Sequence, residues 1–190
     1  MAYTDAIQYD EATRNARLDS DEVVAGVDPD LVIFHGAAKP ATCVTADAGT
    51  VLASMQLPTD WQDDAAGGSA AKLGTWEDTA ADDTGLARYW RLKSSGGTVR
   101  WQGFVSQAWE QSTPYVLNQQ VSNDNGVYIC TTAGTSSGSG TGPSGTGTGI
   151  TDGSAVWSYL GGKSLVLQNV SLATGQPVTV SAFDRTAGGA

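Results

Sequence analysis

A chain of 190 residues with 24 glycines, a net charge of −10 and only 16% charged residues has room for one ordinary domain, or for one domain carrying a small second one. No apolar run approaches the ~20 residues needed to cross a bilayer, and the N-terminal MAYTDAIQYDEATRNARLDS lacks the apolar core of a secretory signal, so a soluble species is expected. The ten basic residues are scattered while the acids gather in residues 5–30 and 60–83; nucleic acid and anionic membrane are therefore not expected partners, because phosphate binding needs clustered Lys and Arg.

Residues 4–25 are polar, with sparse apolar positions at Ile7, Ala12, Ala16, Leu18, Val23 and Val24. Asp10 is placed to cap a helix starting near Glu11, and Gly26 to end it. The apolar stripe is thin, so the helix needs a partner surface, and residues 1–30 read as an N-terminal arm. After Pro29 the texture changes. LVIFHG (31–36) is a short apolar run bounded by turn residues. TVLASMQL (50–57) alternates, with Val51, Ala53, Met55 and Leu57 on one face. LARYWRLK (86–93) and TVRWQGFV (98–105) alternate and flank the turn SSGG, which predicts a hairpin. SLVLQNV (164–170) and PVTVSAF (177–183) predict a second one. Period-2 patterning with almost no helical period predicts an all-β sandwich.

Two stretches interrupt this pattern. Residues 61–85 are rich in Ala, Gly and Asp; AAKLGTW within them has strand character, and a loop of this length is expected to contact something. Residues 135–153, TSSGSGTGPSGTGTGITDG, are almost all Gly, Ser and Thr. Apolar and aromatic residues flank this run on both sides: Trp109, Tyr115, Val121 and Tyr128 before it, and Val156, Trp157 and Tyr159 after it. Neither set alone fills a core, so the run reads as a loop inside one small module, 107–161. The strands on either side then form one body. The predicted architecture is a jelly-roll-like β-sandwich of residues 31–106 plus 162–190, with the small β-module inserted in a loop.

No catalytic, cofactor or metal site is predicted. His35 is the single histidine, no G-x-S-x-G accompanies it, and it reads as an ordinary strand-end residue. Asp78, Asp82 and Asp83 do not match the spacing of a calcium loop. Cys43 and Cys130 fall in different modules and are expected to be reduced; Cys130 reads as a small buried residue.

The segments LVIFHGAAKPA, GTVLASMQLP, DDTGLARYWRLKSSGGTVRWQG and LVLQNVSLATGQPVTVSAFDRTAGGA together resemble a group of small structural proteins of tailed bacteriophages. Shorter members of that group run from the QG strand almost directly into the final hairpin, in line with an insertion at 107. The inserted piece, with its W…Y…V…G…Y spacing, is similar to small β-modules of phage virion proteins and to carbohydrate-binding modules. What the resemblance implies is a non-enzymatic virion component, made in the cytoplasm of a bacterial host. Capsid decoration (cement) proteins are commonly small β-sandwiches with a terminal arm, and often trimers. A decoration protein on the capsid exterior ranks first, with the major capsid protein as partner and a homo-oligomer, favourably a trimer, as the assembly. A tail- or fibre-associated protein whose module binds a host glycan ranks second.

On that reading the arm and the long loop carry the capsid contact, through Tyr3, Ile7, Tyr9, Arg14, Arg17, Leu18, Trp61 and Trp76, unless the arm folds back on its own sandwich. A glycan would stack on Trp109, Tyr115, Tyr128, Trp157 and Tyr159. The competing and favoured use of those rings is to fill the core of a module too small to spare them.

Overall fold

Asp10 turns the chain into α1 (Glu11–Ala25), the one helix among the described residues, by accepting a hydrogen bond from the Thr13 amide at 2.8 Å. Gly26, at φ 79°, closes it by donating to the Glu22 carbonyl. The computed structural model describes residues 8–162 and 165–188, and both expected cap residues act as caps. Only Leu18 and Ala25 of the helix are buried, so little apolar area holds it in place. Polar contacts make up the difference. Glu11, Asn15, Asp19 and Glu22, spaced 4, 4 and 3 apart on one face, accept from the backbone amides of Gly67, Gly68, Ala65 and the Trp61–Gln62 pair. Gln62 donates back to the Leu18 carbonyl at 2.8 Å, and Asp21 pairs with Arg185. The described part of the arm is therefore folded back on the chain's own body.

The body is all-β and sandwich-like. β1 (Asp30–His35) lies between β2 (Thr50–Gln56) and β6 (Tyr89–Lys93), antiparallel to both. A bulge in β2 opposite Ile33 and Phe34 shifts the register there. As a result Leu52 and Ala53 are both buried, where strict alternation predicts only Ala53 on the inner face. Between β2 and β6 run three short strands, β3 (Ser69–Ala71), β4 (Glu77–Asp78) and β5 (Gly85–Leu86). The expected strand 86–93 is thus broken at Ala87 and Arg88, whose amides turn to the carbonyls of Val170 and Phe34.

β6 forms the predicted hairpin with β7 (Val99–Ala108) around Gly97 at φ 80°. β7 is longer than expected and crosses the module boundary at 107. Beyond it come β8 (Pro114–Tyr115), β9 (Gln120–Asn123), β10 (Gly126–Thr132), β11 (Gly134–Thr135), β12 (Ile150–Asp152) and β13 (Ala155–Gly162). The chain closes with β14 (Leu165–Leu167), β15 (Ser171–Leu172) and β16 (Val178–Thr186).

The C-terminal hairpin returns to the first strands. β14 runs parallel to β7, with Leu165 opposite Val105, and antiparallel to β16, with Leu165 opposite Phe183. β16 then pairs with β3 and β4 from the long loop. One apolar cluster joins Leu31, Ile33, Met55, Trp90, Leu92 and Val105 to Leu165, Leu167, Val178, Val180 and Phe183. A second, separate cluster holds Tyr115, Val121, Tyr128, Cys130, Ala155 and Trp157. The two bodies share a ladder as well as a chain connection, because β9 pairs with β7 at Gln107 and Ala108.

Residues 61–85 belong to the core of the sandwich. Trp61 and Trp76 are 1% and 0% exposed, and their rings pack with Phe183 at centroid distances of 6.4 and 5.1 Å. The expectation that these two indoles contact a partner is corrected: each buries more apolar area than any other side chain type, and the sandwich uses that area itself.

Candidate functional site

The expected partner-binding and glycan-binding residues divide between core and surface. Tyr3 and Ile7 lie outside the described residues. Tyr9 is exposed, and the Arg17 guanidinium sits 4.8 Å above its ring. Arg14 is packed against Gly68, where a β-carbon would fall 2.3 Å from its Nη1. Leu18 is buried under the helix. Of the arm set, Tyr9 and Arg17 are the described residues open to a partner.

Two of the helix's sparse apolar positions, Val23 and Val24, are open to solvent. Val23, Val24 and, just past the cap, Val27 are 83%, 48% and 61% exposed. The stripe that is in fact buried is Leu18 and Ala25, seven residues apart. Val23 and Val24 fall off it, a mismatch that their spacing from Leu18 records in the sequence.

In the module, Tyr115, Tyr128 and Trp157 are core. Tyr115 and Trp157 meet edge to face at 4.9 Å, and the Tyr128 hydroxyl donates to the Gly145 carbonyl at 3.1 Å. Burial pushes both phenols up from their ordinary pKa. Burial also raises the Cys130 thiol, which donates to the Thr132 carbonyl, so it is a poor nucleophile. Trp109 and Tyr159 pack on this core and are partly exposed. Five rings in this arrangement do not make one stacking face.

The glycine-rich run explains part of that burial. It lies on the module and is tied down along its length. Gln111 donates to the Gly140 carbonyl, Asn123 to those of Thr141 and Pro143, and the Tyr159 amide to Gly147. Gly142, at φ 81°, passes over the indole of Trp109, and a β-carbon there would sit 2.7 Å from Cδ2. The open edge of Trp109 borders a polar hollow of about 390 Å³ shared with Ser122, Asn123, Asp124 and Asn125.

Two charged clusters sit on the sandwich. Arg91 is 1% exposed and fully partnered: it donates to Asp47 at 2.7 Å, to the carbonyls of Thr45 and Thr42, and to Gln102 Oε1. With Lys93 it pins residues 42–47 against β6. Burial pushes the Asp47 carboxyl up, but the hydrogen bonds from Lys93 and Arg91 outweigh it and hold it below the usual carboxylate value. His35, at the end of β1, pairs with Asp83 at 3.0 Å. Hydrogen bonds from the Thr84 amide and then from His35 hold the Asp83 carboxyl low. No serine or cysteine is hydrogen-bonded to His35 among the described residues. Among them, too, no three His, Cys, Asp or Glu side chains come together to hold a metal ion.

No family model, curated protein or solved structure matches this chain.

Proposed function

We propose that this chain is a non-enzymatic structural protein of a tailed-phage virion, acting as a decoration protein that bridges major capsid subunits on the capsid exterior. The phage resemblance of its sandwich segments supplies the setting. The observation that carries a partner-binding role is the exposure of Val23 and Val24 on a helix that the body holds in place, with Val27 exposed just past its end. Exposed apolar side chains gathered within five residues, rather than scattered singly, are the kind of surface that marks a protein contact.

This alters the physical picture of the clamp. A flexible arm loses conformational entropy when it orders on a partner. A helix already latched by four polar side chains presents its valines without that loss. Burying each valine contributes roughly 1.5 kcal/mol, a weak contact alone. A homo-oligomer of the chain, a trimer on this reading, repeats the contact and gains avidity on a shell whose sites repeat in the same way.

The test is a binding assay on undecorated particles with the Val23→Ser/Val27→Ser double variant. Binding at hundreds of copies per particle, reduced at least tenfold in the variant with an unchanged melting temperature, is the expected result. Unreduced binding rejects the valine patch, and a handful of copies at one vertex rejects decoration. The second outcome favours a tail-associated protein, for which the hollow beside Trp109 is the surface to examine.

A further inference from the structure

The cleft between the sandwich and the small module holds a cation without an anion. Its walls are His35, Ala37, Ala38, Leu86 and Arg88 from the sandwich and Asn118 from the module, around a volume of about 440 Å³. The Arg88 side chain makes no hydrogen bond or ion pair among the described residues, and its Nε is buried and unpartnered. Arg91 and Arg185 are both paired with carboxylates, while Arg14, whose Nε is likewise buried and unpartnered, packs against Gly68. Burial is the sole influence on the Arg88 guanidinium, which it pulls down from its ordinary pKa. A half-buried unpaired charge costs stability. Natural folds break such rules mainly at functional or strained sites.

The backbone holds Arg88 in place from three sides. Its amide donates to the Phe34 carbonyl at 2.9 Å, and its carbonyl accepts from Gln120 Nε2 at 3.0 Å and from the Val105 amide. Asp83, the partner of the cleft's His35, also accepts from the Thr84 amide. The Asp83 carboxylate behind His35 repels a phosphate dianion more strongly than a monoanion, so the Arg88 guanidinium suits a singly charged acid. A guanidinium fork matches a carboxylate in two parallel hydrogen bonds. Beside it stand an amide and an imidazole, groups that bond hydroxyls, and the short apolar side chains of Leu86, Ala37 and Ala38.

We infer that this cleft binds a carboxylate carried on a sugar ring, a uronic-acid residue, with Arg88 holding the carboxylate and Asn118 and His35 the ring hydroxyls. The inference stands on Arg88 and the cleft alone, and is independent of the virion reading. The location adds a constraint: Asn118 reaches the cleft only because β9 pairs with β7 and seats the module against the sandwich. Both bodies are needed to form the site.

The test is an amide chemical-shift titration of the full chain with sodium glucuronate, glucose, acetate and inorganic phosphate at one fixed ionic strength, repeated with Arg88→Gln and Asn118→Gly. Glucuronate is expected to shift amides at 35–38, 86–88 and 117–119. Glucose and acetate each bind at least tenfold more weakly. Arg88→Gln weakens glucuronate tenfold or more while its melting temperature holds or rises, since the variant removes an unpaired charge. Asn118 sits at φ 70°, which glycine adopts freely, so Asn118→Gly keeps the fold and weakens glucuronate several-fold. It remains a valid test should the Arg88 variant not fold. Equal binding of glucose overturns the carboxylate, displacement by equimolar phosphate overturns the sugar acid, and unchanged affinity in either variant overturns the site.

Discussion

The indole Nε1 of Trp109 donates to Oδ2 of Asp152 at 2.8 Å, joining the entrance of the small module to the end of its glycine-rich run. The same carboxylate takes the Ser137 amide on Oδ1 at 3.0 Å, so one buried acid gathers three parts of the chain. Asp152→Ala leaves two donors unmet in a nearly closed space. A loss of about 1–3 kcal/mol is expected, read as a lower denaturant midpoint together with a red shift of the Trp109 emission. Asp152→Asn keeps one acceptor and is expected to lose less.

Gly142 tests the same packing from the other side. Its φ of 81° and the 2.7 Å approach to Trp109 leave no room for a methyl group. Gly142→Ala is expected to cost more than about 1 kcal/mol. Gly140→Ala, with φ 99° and nothing near it, carries the backbone strain alone and serves as the control. Equal losses in thermal denaturation would mean that the contact with the indole adds nothing.

The helix latch predicts that truncation harms the fold itself. Glu22 accepts from both Trp61 and Gln62 amides, at 2.9 and 3.0 Å. Glu22→Ala is expected to cost about 1–3 kcal/mol, and Glu22→Gln less, because the acceptor oxygen remains. Deleting residues 1–26 removes all four latching side chains and uncovers the segment that positions Trp61. Hydrogen exchange should then rise at residues 61–68. Unchanged protection there would show that the latch is decorative.

Asp47 gives a pH dependence with a definite sign. Its folded pKa lies below the ordinary aspartate value of 3.8, so its contribution is present above that value and is lost as pH falls through the folded pKa. Asp47→Asn should melt lower than the parent chain at pH 7, and the difference should close as pH drops below about 3.8. Arg91→Met should behave differently. It leaves Gln102 and the carbonyls of Thr42 and Thr45 without their donor and frees a buried site, at a cost of about 3 kcal/mol at neutral pH.

Local order alone determined much of this protein. Asp10 and Gly26 bound the helix because capping involves only neighbouring backbone groups. The hairpin at 94–97 and the apolar run at 31–35 are likewise set by residues a few positions apart. The return of 165–183 to the early strands was legible as a shortage of partners, because an open sheet with one apolar face must find a cover. What only the tertiary structure decided are matters of which face meets what. Glu11, Asn15, Asp19 and Glu22, polar residues of a helix that needs a partner surface, cap backbone amides some 40 or more residues away. Arg91, which alternation sets on the face opposite Trp90 and Leu92, is buried under the 42–47 loop; Arg88, from the same run, stands unpaired in a cleft that exists only where two bodies meet. A single sequence records the period of a pattern and the chemistry of each side chain. It does not record which distant groups will lie beside them, because that depends on how the whole chain shares out its apolar surface.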